Sequence, residues 1–471
     1  MSNPTILKDS VWAVASQGIS MLTGIVMSLI LPKFITVETF GYWQLFLLYA
    51  SYVGLLHFGA GDGIYLRLGG QYFDKIDRCS LYPQIQLVSV SQIIFAAVIA
   101  IYACIFVDDA TRQFIFLALS AFIVVDNVYK ILSFVLMATD KMIFNSRTVI
   151  IDKVLMLLST VLLIVFIKLP NAKLLISAYV CSHIVVLIIT LAKFKGIFKF
   201  HRVFNKQNYK SVVGLASVGI VLTLSNLMST LIVGSCRLIV ERYWDITVFA
   251  QLSFAITISV FILTFVSQIS YVLFPYLRRM NADNQRTVLR DSNFVLTCVV
   301  PYLYAFVFPL YYFILLWLPK YVEAAHYMTL IAPICFYEMR MSLLFNTYFK
   351  NLNKIRPLLI INIVTVVVAV LLYFVSVWVH SMEYISVSVL ISLIFKTLMM
   401  QYYLYRHYQL SREYIYLSDI VFTLIMTGSF LYGGINIAAI AYIVYILSYS
   451  LFIYRNALPR FKEIKNNFRN Y

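Results

Sequence analysis

The residues of this sequence that could do chemistry are charged side chains at the ends of, or within, long apolar runs. Residues 211–236 carry no charge, and a helix needs only about 20 apolar residues to cross a bilayer. This run therefore predicts a membrane span that ends close to Arg237. Glu241 follows four residues later on the same helical face, where a carboxylate can pair with the guanidinium. Arg237 is then either an arginine that reaches the membrane interface beside Glu241 or a cation that faces a polar cavity.

Other charged residues lie deeper. Asp126 and Lys130 are one helical turn apart, which predicts an ion pair that either joins helices or titrates during transport. Glu338 and Arg340 project from nearly opposite helical faces, so neither is the other's main partner, and Arg340 is a candidate functional cation. Lys396 has no acid within one turn, and we interpret it as a cavity cation or as the partner of another helix. The deep cations outnumber the deep acids, which suits an anionic substrate such as a phosphate group.

The second apolar run contains His57 and Asp62 among several glycines, with Arg67 at its end. Glycine permits both a bend and a close approach between helices, so the segment is interpreted either as a mechanistic hinge or as simple helix packing. The glycines of the predicted hinge are Gly59, Gly61 and Gly63.

His183 lies midway between Lys173 and Lys193. A lone histidine at this depth is either a hydrogen-bond donor in helix packing, the commoner case, or a proton relay. Asp152 and Lys153 lie near the predicted cytoplasmic start of the fifth span, and we interpret them as interfacial.

The composition sets the class of protein. Of 471 residues, 62% are hydrophobic and 12% are charged, whereas soluble globular proteins are nearer half and a quarter. The chain is therefore predicted to be an all-α, multi-pass membrane protein. The formal charge of +17 does not indicate nucleic-acid binding, because the basic residues lie between apolar runs rather than on one face.

Fourteen apolar runs predict about fourteen transmembrane helices. Most are near 20 residues long and lack polar alternation, which favours helices over a membrane β-barrel. They cover residues 11–32, 42–66, 84–107, 113–139, 148–168, 174–192, 211–236, 247–276, 292–317, 324–349, 358–379, 384–404, 418–432 and 435–454.

Lys and Arg in the loops predict the orientation of the chain. With the N-terminus inside, the cytoplasmic segments hold 26 of the 37 basic residues and the outer loops hold 6. Both termini are therefore predicted to be cytoplasmic. No convincing cleavable signal precedes the first span, so the chain is predicted to keep its own N-terminus.

The sequence carries no catalytic signature. The predicted outer loops are too short to form an enzymatic domain, and no nucleotide-binding Gly-x-x-x-x-Gly-Lys motif, metal-ligand cluster or catalytic triad accompanies the deep charges. The six cysteines lack the short-spaced pairs of a metal or redox site. We expect a protein that is not an enzyme and needs no cofactor, with H⁺ or Na⁺ as a possible coupling ion.

Two segments resemble those of a known family. Residues 32–70 contain PKFITVETFGYWQLF and HFGAGDGIYLRLGG, and residues 234–255 read GSCRLIVERYWDITVFAQLSFA. Both resemble the polysaccharide flippases of the O-antigen (Wzx) type, within the multidrug, oligosaccharidyl-lipid and polysaccharide exporter superfamily. A weak internal repeat between residues 40–41 and 249–250 is consistent with two related halves.

The resemblance implies a fold like that of the multidrug and toxin extrusion (MATE) transporters, with two pseudo-symmetric six-helix bundles around a central cavity. The predicted division is an N-terminal bundle, a basic cytoplasmic linker, a C-terminal bundle, and two additional helices with a basic tail. Their ranges are 1–192, 193–210, 211–404 and 405–471.

The resemblance also implies a function, which is outward movement of an undecaprenyl-pyrophosphate-linked oligosaccharide across a bacterial inner membrane by alternating access. Arg237 matches the arginine of the seventh-span motif, and cationic cavity residues would engage the pyrophosphate. A polysaccharide polymerase or other assembly enzymes would be partners. A cation-coupled drug antiporter would instead depend on a deep acid such as Asp126, and a membrane scaffold would need no deep charge.

Overall fold

The structure is a computed structural model that describes residues 4–197, 199, 203–259, 277–278, 280–410 and 415–456, with side chains described within residues 11–410 and 418–455 of these ranges. These residues form helices joined by short connections, and no strand occurs among them. The prediction of an all-helical membrane protein is confirmed. The longer helices are α1 (Pro4–Ile25), α2 (Val37–Tyr52), α3 (Ala60–Leu68), α4 (Arg78–Phe106), α5 (Ala110–Ala138), α6 (Met142–Ile167), α7 (Ala172–Lys193), α8 (Lys206–Tyr243), α9 (Ile246–Ser259), α10 (Ala282–Leu303), α11 (Val307–Trp317), α12 (Val322–Ile331), α13 (Ile334–Arg340), α14 (Asn346–Asn351), α15 (Ile355–Val379), α16 (Met382–His407) and α17 (Ile415–Asn456).

Ten helical segments of the described chain are long and apolar enough to cross a membrane. The number is eleven if Pro319–Ile331 and Ile334–Asn351, which meet at a bend of 53°, form one span. The chain is thus a multi-pass membrane protein, and the predicted count of fourteen is approximate.

Local features explain the difference between the two counts. The predicted second span is interrupted between α2 and α3, and the predicted eighth span continues into residues 260–276, which lie outside the described residues. The last two predicted spans both lie in α17, which the non-helical backbone angles of Gly433 and Gly434 divide into two helices at the predicted boundary.

The chain divides into two compact units, Met1–Leu227 and Met228–Tyr471. The boundary falls within α8 rather than in the basic segment 193–210. The two six-helix bundles with a basic linker stay a prediction.

Short polar side chains cap the start of several helices. The Asp77 carboxylate accepts hydrogen bonds from the backbone N–H groups of Cys79 and Ser80 at the start of α4. Such a cap satisfies N–H groups that have no partner within their own helix, and these groups would be costly to leave unpaired near a bilayer. The other helices that begin with a side-chain cap do so at Thr36, Asp109, Asn171, Asn281 and Ser381.

Glycines allow α3 to pack closely against α8 within the first unit. Gly59 follows Phe58, and both adopt positive φ angles, of 79° and 48°, where a tight 3₁₀ turn gives way to α3. A Cβ atom on Gly59 would lie 2.5 Å from the backbone of Gly219, and one on Gly63 would collide with the carbonyl oxygen of Leu215. The segment therefore combines an interruption of the helix with close backbone-to-backbone packing, and this packing is possible only because Gly59 and Gly63 carry no Cβ atom.

We expect Gly63→Ala to destabilise the protein by about 1–3 kcal/mol, because the added methyl group must push α8 away. Thermal unfolding of the detergent-solubilised protein measures the change. Gly214→Ala on α8 is the matched control, since a Cβ there meets no atom within 4 Å. Equal midpoints for the two variants would contradict the packing argument.

Candidate functional site

Asp126 and Lys130 form the first buried charge pair of the first unit. The Lys130 Nζ atom lies 2.7 Å from Asp126 Oδ2, one turn along α5. The predicted pairing is confirmed. The Asp126 side chain is buried, whereas the Lys130 side chain is 43% exposed, so the pair presents its cation outward.

A polar network satisfies the backbone where the second predicted span is broken. Asn127 donates to the carbonyl of Val53 at 3.1 Å and to the Gln92 side chain at 2.7 Å, while Gln92 donates to the carbonyl of Leu56 at 3.0 Å. His57 accepts a hydrogen bond from the N–H of Gly59 at 3.1 Å. The buried His57 thus has a local structural role where the helix is interrupted between α2 and α3.

Asp62 and Arg67 take different partners at the two ends of α3. Thr223 donates a 2.6 Å hydrogen bond to the Asp62 carboxylate, which links α3 to α8. Arg67 is exposed and donates to Gln84 at 3.3 Å. The structure therefore does not join these two predicted residues directly.

A second charge cluster links α6 and α7, and sequence reasoning did not recognise it as a unit. The buried Asp152 carboxylate contacts Lys153 at 2.8 Å and accepts from Ser182 at 3.1 Å. The Nδ1 atom of His183 lies 3.2 Å from the same carboxylate. Consecutive polar residues in two neighbouring apolar runs were the only sequence signal that could have indicated it.

Arg340 is buried in the second unit and pairs with Asp419 of α17. Its other terminal nitrogen donates to Thr297 of α10 at 2.8 Å. Tyr337 and Thr423 hydrogen-bond at 2.8 Å, one turn away from this pair on their respective helices. Sequence analysis missed Asp419, which lies at the start of the predicted thirteenth span. The pair joins the bent tenth span to that helix.

Lys396 is 1% exposed and donates a 2.8 Å hydrogen bond to the hydroxyl group of Ser229 on α8. Glu338 is half-buried on α13, and its carboxylate interacts electrostatically with the Lys396 ammonium group. The hydrogen bond that the structure gives Lys396 is thus to a neutral hydroxyl group, with the Glu338 carboxylate of another helix as a nearby negative charge.

Arg237 is half-buried near the end of α8. Its Nε atom donates to Ser253 at 3.1 Å, and its guanidinium lies 5.6 Å from the centre of the Phe249 ring. Both contacts fall in the segment that carries the sequence resemblance. Glu241 is buried one turn further along α8. Pairing of Arg237 with Glu241 stays a prediction.

Replacing one member of the Arg340–Asp419 pair leaves the other as a buried charge. We expect Arg340→Met or Asp419→Leu alone to destabilise the protein by about 3–5 kcal/mol, and the double variant to recover most of this loss. Thermal unfolding in detergent measures each value.

The exposed pair Arg78–Asp74, with a 3.7 Å separation, provides the control. Substitution of either residue should have little effect, because solvent screens surface ion pairs. Additive losses in the Arg340→Met, Asp419→Leu double variant would contradict direct coupling.

The described residues contain no group of three or more His, Cys, Asp or Glu side chains that could hold a metal ion. Their deep polar residues form ion pairs and hydrogen bonds both within and between helices.

Comparison with solved structures shows that the fold is similar to those of the lipid II flippase MurJ and of MATE transporters. The chain is similar to the lipid II flippase MurJ in its inward closed conformation, with a TM-score of 0.62, 12% identity, and coverage of 96% of this chain and 100% of that chain. It is also similar to an inward-facing MATE-family multidrug resistance transporter, with a TM-score of 0.59, 13% identity, and coverage of 84% and 96%. A MATE structure in the straight conformation gives a TM-score of 0.50 at 13% identity, with coverage of 86% and 97%.

No family model matches the chain, and no curated protein matches it. At these identities the similarity establishes the fold, and the structural neighbours are transporters rather than enzymes.

Proposed function

We propose that this protein is a flippase that moves an undecaprenyl-pyrophosphate-linked oligosaccharide, such as an O-antigen repeat unit, to the periplasmic leaflet by alternating access. The observation that carries the proposal is the similarity to a lipid II flippase over 96% of this chain and the whole of the other. The segments that resemble O-antigen flippases support the same class of lipid-linked substrate. The proposed location is a bacterial inner membrane with both termini in the cytoplasm.

Lys396 is the residue we propose to engage the pyrophosphate in the second unit. A pyrophosphate loses its hydration in an apolar environment, and a cation can offset that loss through charge-assisted hydrogen bonds. The Lys396 ammonium group donates to a hydroxyl and has Glu338 only as a nearby charge, whereas Arg340 is directly paired with the Asp419 carboxylate. Lys396 is enclosed in this conformation, so access requires that α8 and α16 separate around Ser229.

Arg237 is a second proposed contact for the anion. It is half-buried, and its contacts include a hydroxyl and an aromatic ring. A guanidinium group can bind phosphate oxygens in a bidentate manner, which suits recognition of a pyrophosphate.

An antiporter of drugs or metabolites is the second candidate. The buried carboxylate of Asp126 and the similarity to a MATE transporter favour it. In this mechanism the acid would exchange H⁺ or Na⁺, so Asp126 would be more sensitive to substitution than Lys396.

We expect Lys396→Met to reduce complementation of a bacterial strain that lacks its O-antigen flippase at least about tenfold. This loss corresponds to one charge-assisted hydrogen bond of about 1.5–3 kcal/mol. Surface polysaccharide on a gel is the measurement, at matched amounts of protein in the membrane. Lys396→Arg should retain part of the function, because it keeps the positive charge.

Two further variants make the comparison specific. Arg242→Ala removes an exposed cation from α8, five residues after Arg237, and should have little effect compared with Arg237→Ala. Asp126→Asn tests the antiporter. If wild type fails to restore any of several glycans but lowers dye accumulation, and this activity requires Asp126, the antiporter replaces the flippase.

A polysaccharide polymerase or other assembly enzymes are the proposed partners, because a translocated repeat unit must be consumed on the outer side. Removal of the product would also drive net flipping in one direction.

A further inference from the structure

His183 lies in the middle of α7, which runs from Ala172 to Lys193. Its surroundings are polar and charged, although the helix itself is strongly apolar. An ionisable side chain at this depth generally has a structural or functional partner. The hydrogen bonds of its ring show which nitrogen atom holds a permanent proton and which does not.

The Nδ1 atom faces acceptors. It lies 3.0 Å from the backbone carbonyl of Tyr179 and 3.2 Å from a carboxylate oxygen of Asp152. The hydroxyl of Ser182 lies 3.3 Å from Nδ1, and its single hydrogen has acceptors in the Asp152 carboxylate and the Tyr179 carbonyl. Neither a carbonyl nor a carboxylate can donate, so Nδ1 must carry a hydrogen atom in the neutral and in the charged form.

The Nε2 atom forms no hydrogen bond with any residue in the described part of the chain. With Nδ1 fixed as the donor, Nε2 carries a lone pair in the neutral ring and a hydrogen atom in the imidazolium. A histidine that serves only to join helices commonly uses its ring nitrogens for that purpose. Here one nitrogen orients the ring and the other is available for a proton.

The charges that face His183 come from α5 and α6. Burial of the ring in an apolar span disfavours the imidazolium most, and Lys153 opposes it as well, whereas the carboxylates of Asp152 and Asp126 favour it. The carboxylates are 6% and 7% exposed, but Lys153 is 27% exposed and Lys130, the partner of Asp126, is 43% exposed. Water screens the lysines more than the acids, so the two carboxylates offset part of the cost that burial imposes on the charged ring.

Aromatic rings also surround the imidazole. The Tyr179 and Phe122 rings lie 4.4 Å and 5.1 Å from it, measured between ring centres. Trp43 and Phe46 of α2 contact Tyr179, and they bring no charge toward the site. Aromatic faces attract a cation by their quadrupole, so this environment tolerates both forms of the ring.

We propose that His183 binds one proton at Nε2 and releases it during the transport cycle, with Asp152 as the residue that positions the ring. This inference rests on the proposed transport function and supplies its coupling ion. The proton comes from water on one side of the membrane and returns to water on the other, so the cycle needs no oxidant, reductant or further reactant.

The first experiment measures protonation without any transport substrate. The wild-type protein, labelled with ¹⁵N-histidine and placed in lipid nanodiscs, is titrated by NMR between about pH 5 and 9. His183→Asn, which retains an N–H donor toward Asp152, identifies the His183 signals among the six histidines. We expect Nδ1 to stay protonated throughout and Nε2 to gain a proton as the pH falls.

Paired variants test the role of the surrounding charges. Asp152→Asn should lower the proton affinity of His183 at least about tenfold, because it removes the favourable carboxylate. Lys153→Met should raise the affinity, because it removes a repelling cation. A ring that keeps one protonation state over the whole pH range, or two variants that shift it in the same direction, would overturn the proposal.

The second experiment separates this inference from the flippase itself. Proteoliposomes that contain an undecaprenyl-pyrophosphate-linked oligosaccharide and an internal pH dye report flipping and proton movement together. We expect a pH gradient to accelerate flipping in wild type and to have at least about tenfold less effect in His183→Asn.

Failure of the flippase function and failure of the proton-coupling role would give different results. If wild type flips no lipid-linked substrate while Nε2 titrates and protons move with a dye substrate, the flippase is wrong and the proton site stands. If His183→Asn flips the lipid with an undiminished response to the gradient, the flippase stands and the proton-coupling role of His183 is overturned.

Discussion

A polar group in the core of a bilayer has no water to bond with, and leaving it unsatisfied costs several kcal/mol. This constraint explains most of the described side-chain network. Where the α-helix is interrupted after Tyr52, side-chain amides from α4 and α5 donate hydrogen bonds to the carbonyl groups of Val53 and Leu56. Where charges enter the spans, nearby helices supply carboxylates or hydroxyls. The helices are thus joined at a few deep polar positions, and apolar contact fills the rest.

The two units handle buried charge differently. In the first unit, the buried acids Asp126 and Asp152 each pair with a lysine, Lys130 or Lys153, whose side chain is more exposed than the acid. In the second unit, Arg340 is enclosed together with its acid, while Lys396 is enclosed beside a hydroxyl. The buried acids of the first unit and the buried cations of the second are the groups on which the two proposals above depend. The proposed transport of a lipid-linked pyrophosphate with a coupling proton would use these two different environments.

The sequence predicted the helical class and the positions of most helices, because a span must be a long apolar run and its ends are marked by charges and capping residues. It also predicted the pairing of Asp126 with Lys130, because that contact depends only on the pitch of a single helix. Contacts between helices were harder to foresee. Asp419 lies 79 residues from Arg340, and nothing in the periodicity of either helix indicates that they meet. His183 was recognised as unusual, but its partners became evident only when α6 and α7 were placed side by side.

The separation of Arg340 from Asp419 also constrains how the protein is made. At about 5–20 residues per second, the ribosome needs about 4–16 seconds to add the 79 residues that separate Arg340 from its carboxylate. During that interval the tenth span enters the membrane with an arginine that has not yet met its final counter-ion. The growing chain must therefore hold this span near water, lipid phosphates or the insertion machinery until α17 emerges. A chain that stops before Asp419 would keep this exposed charge, and membrane quality control could recognise it as unfinished.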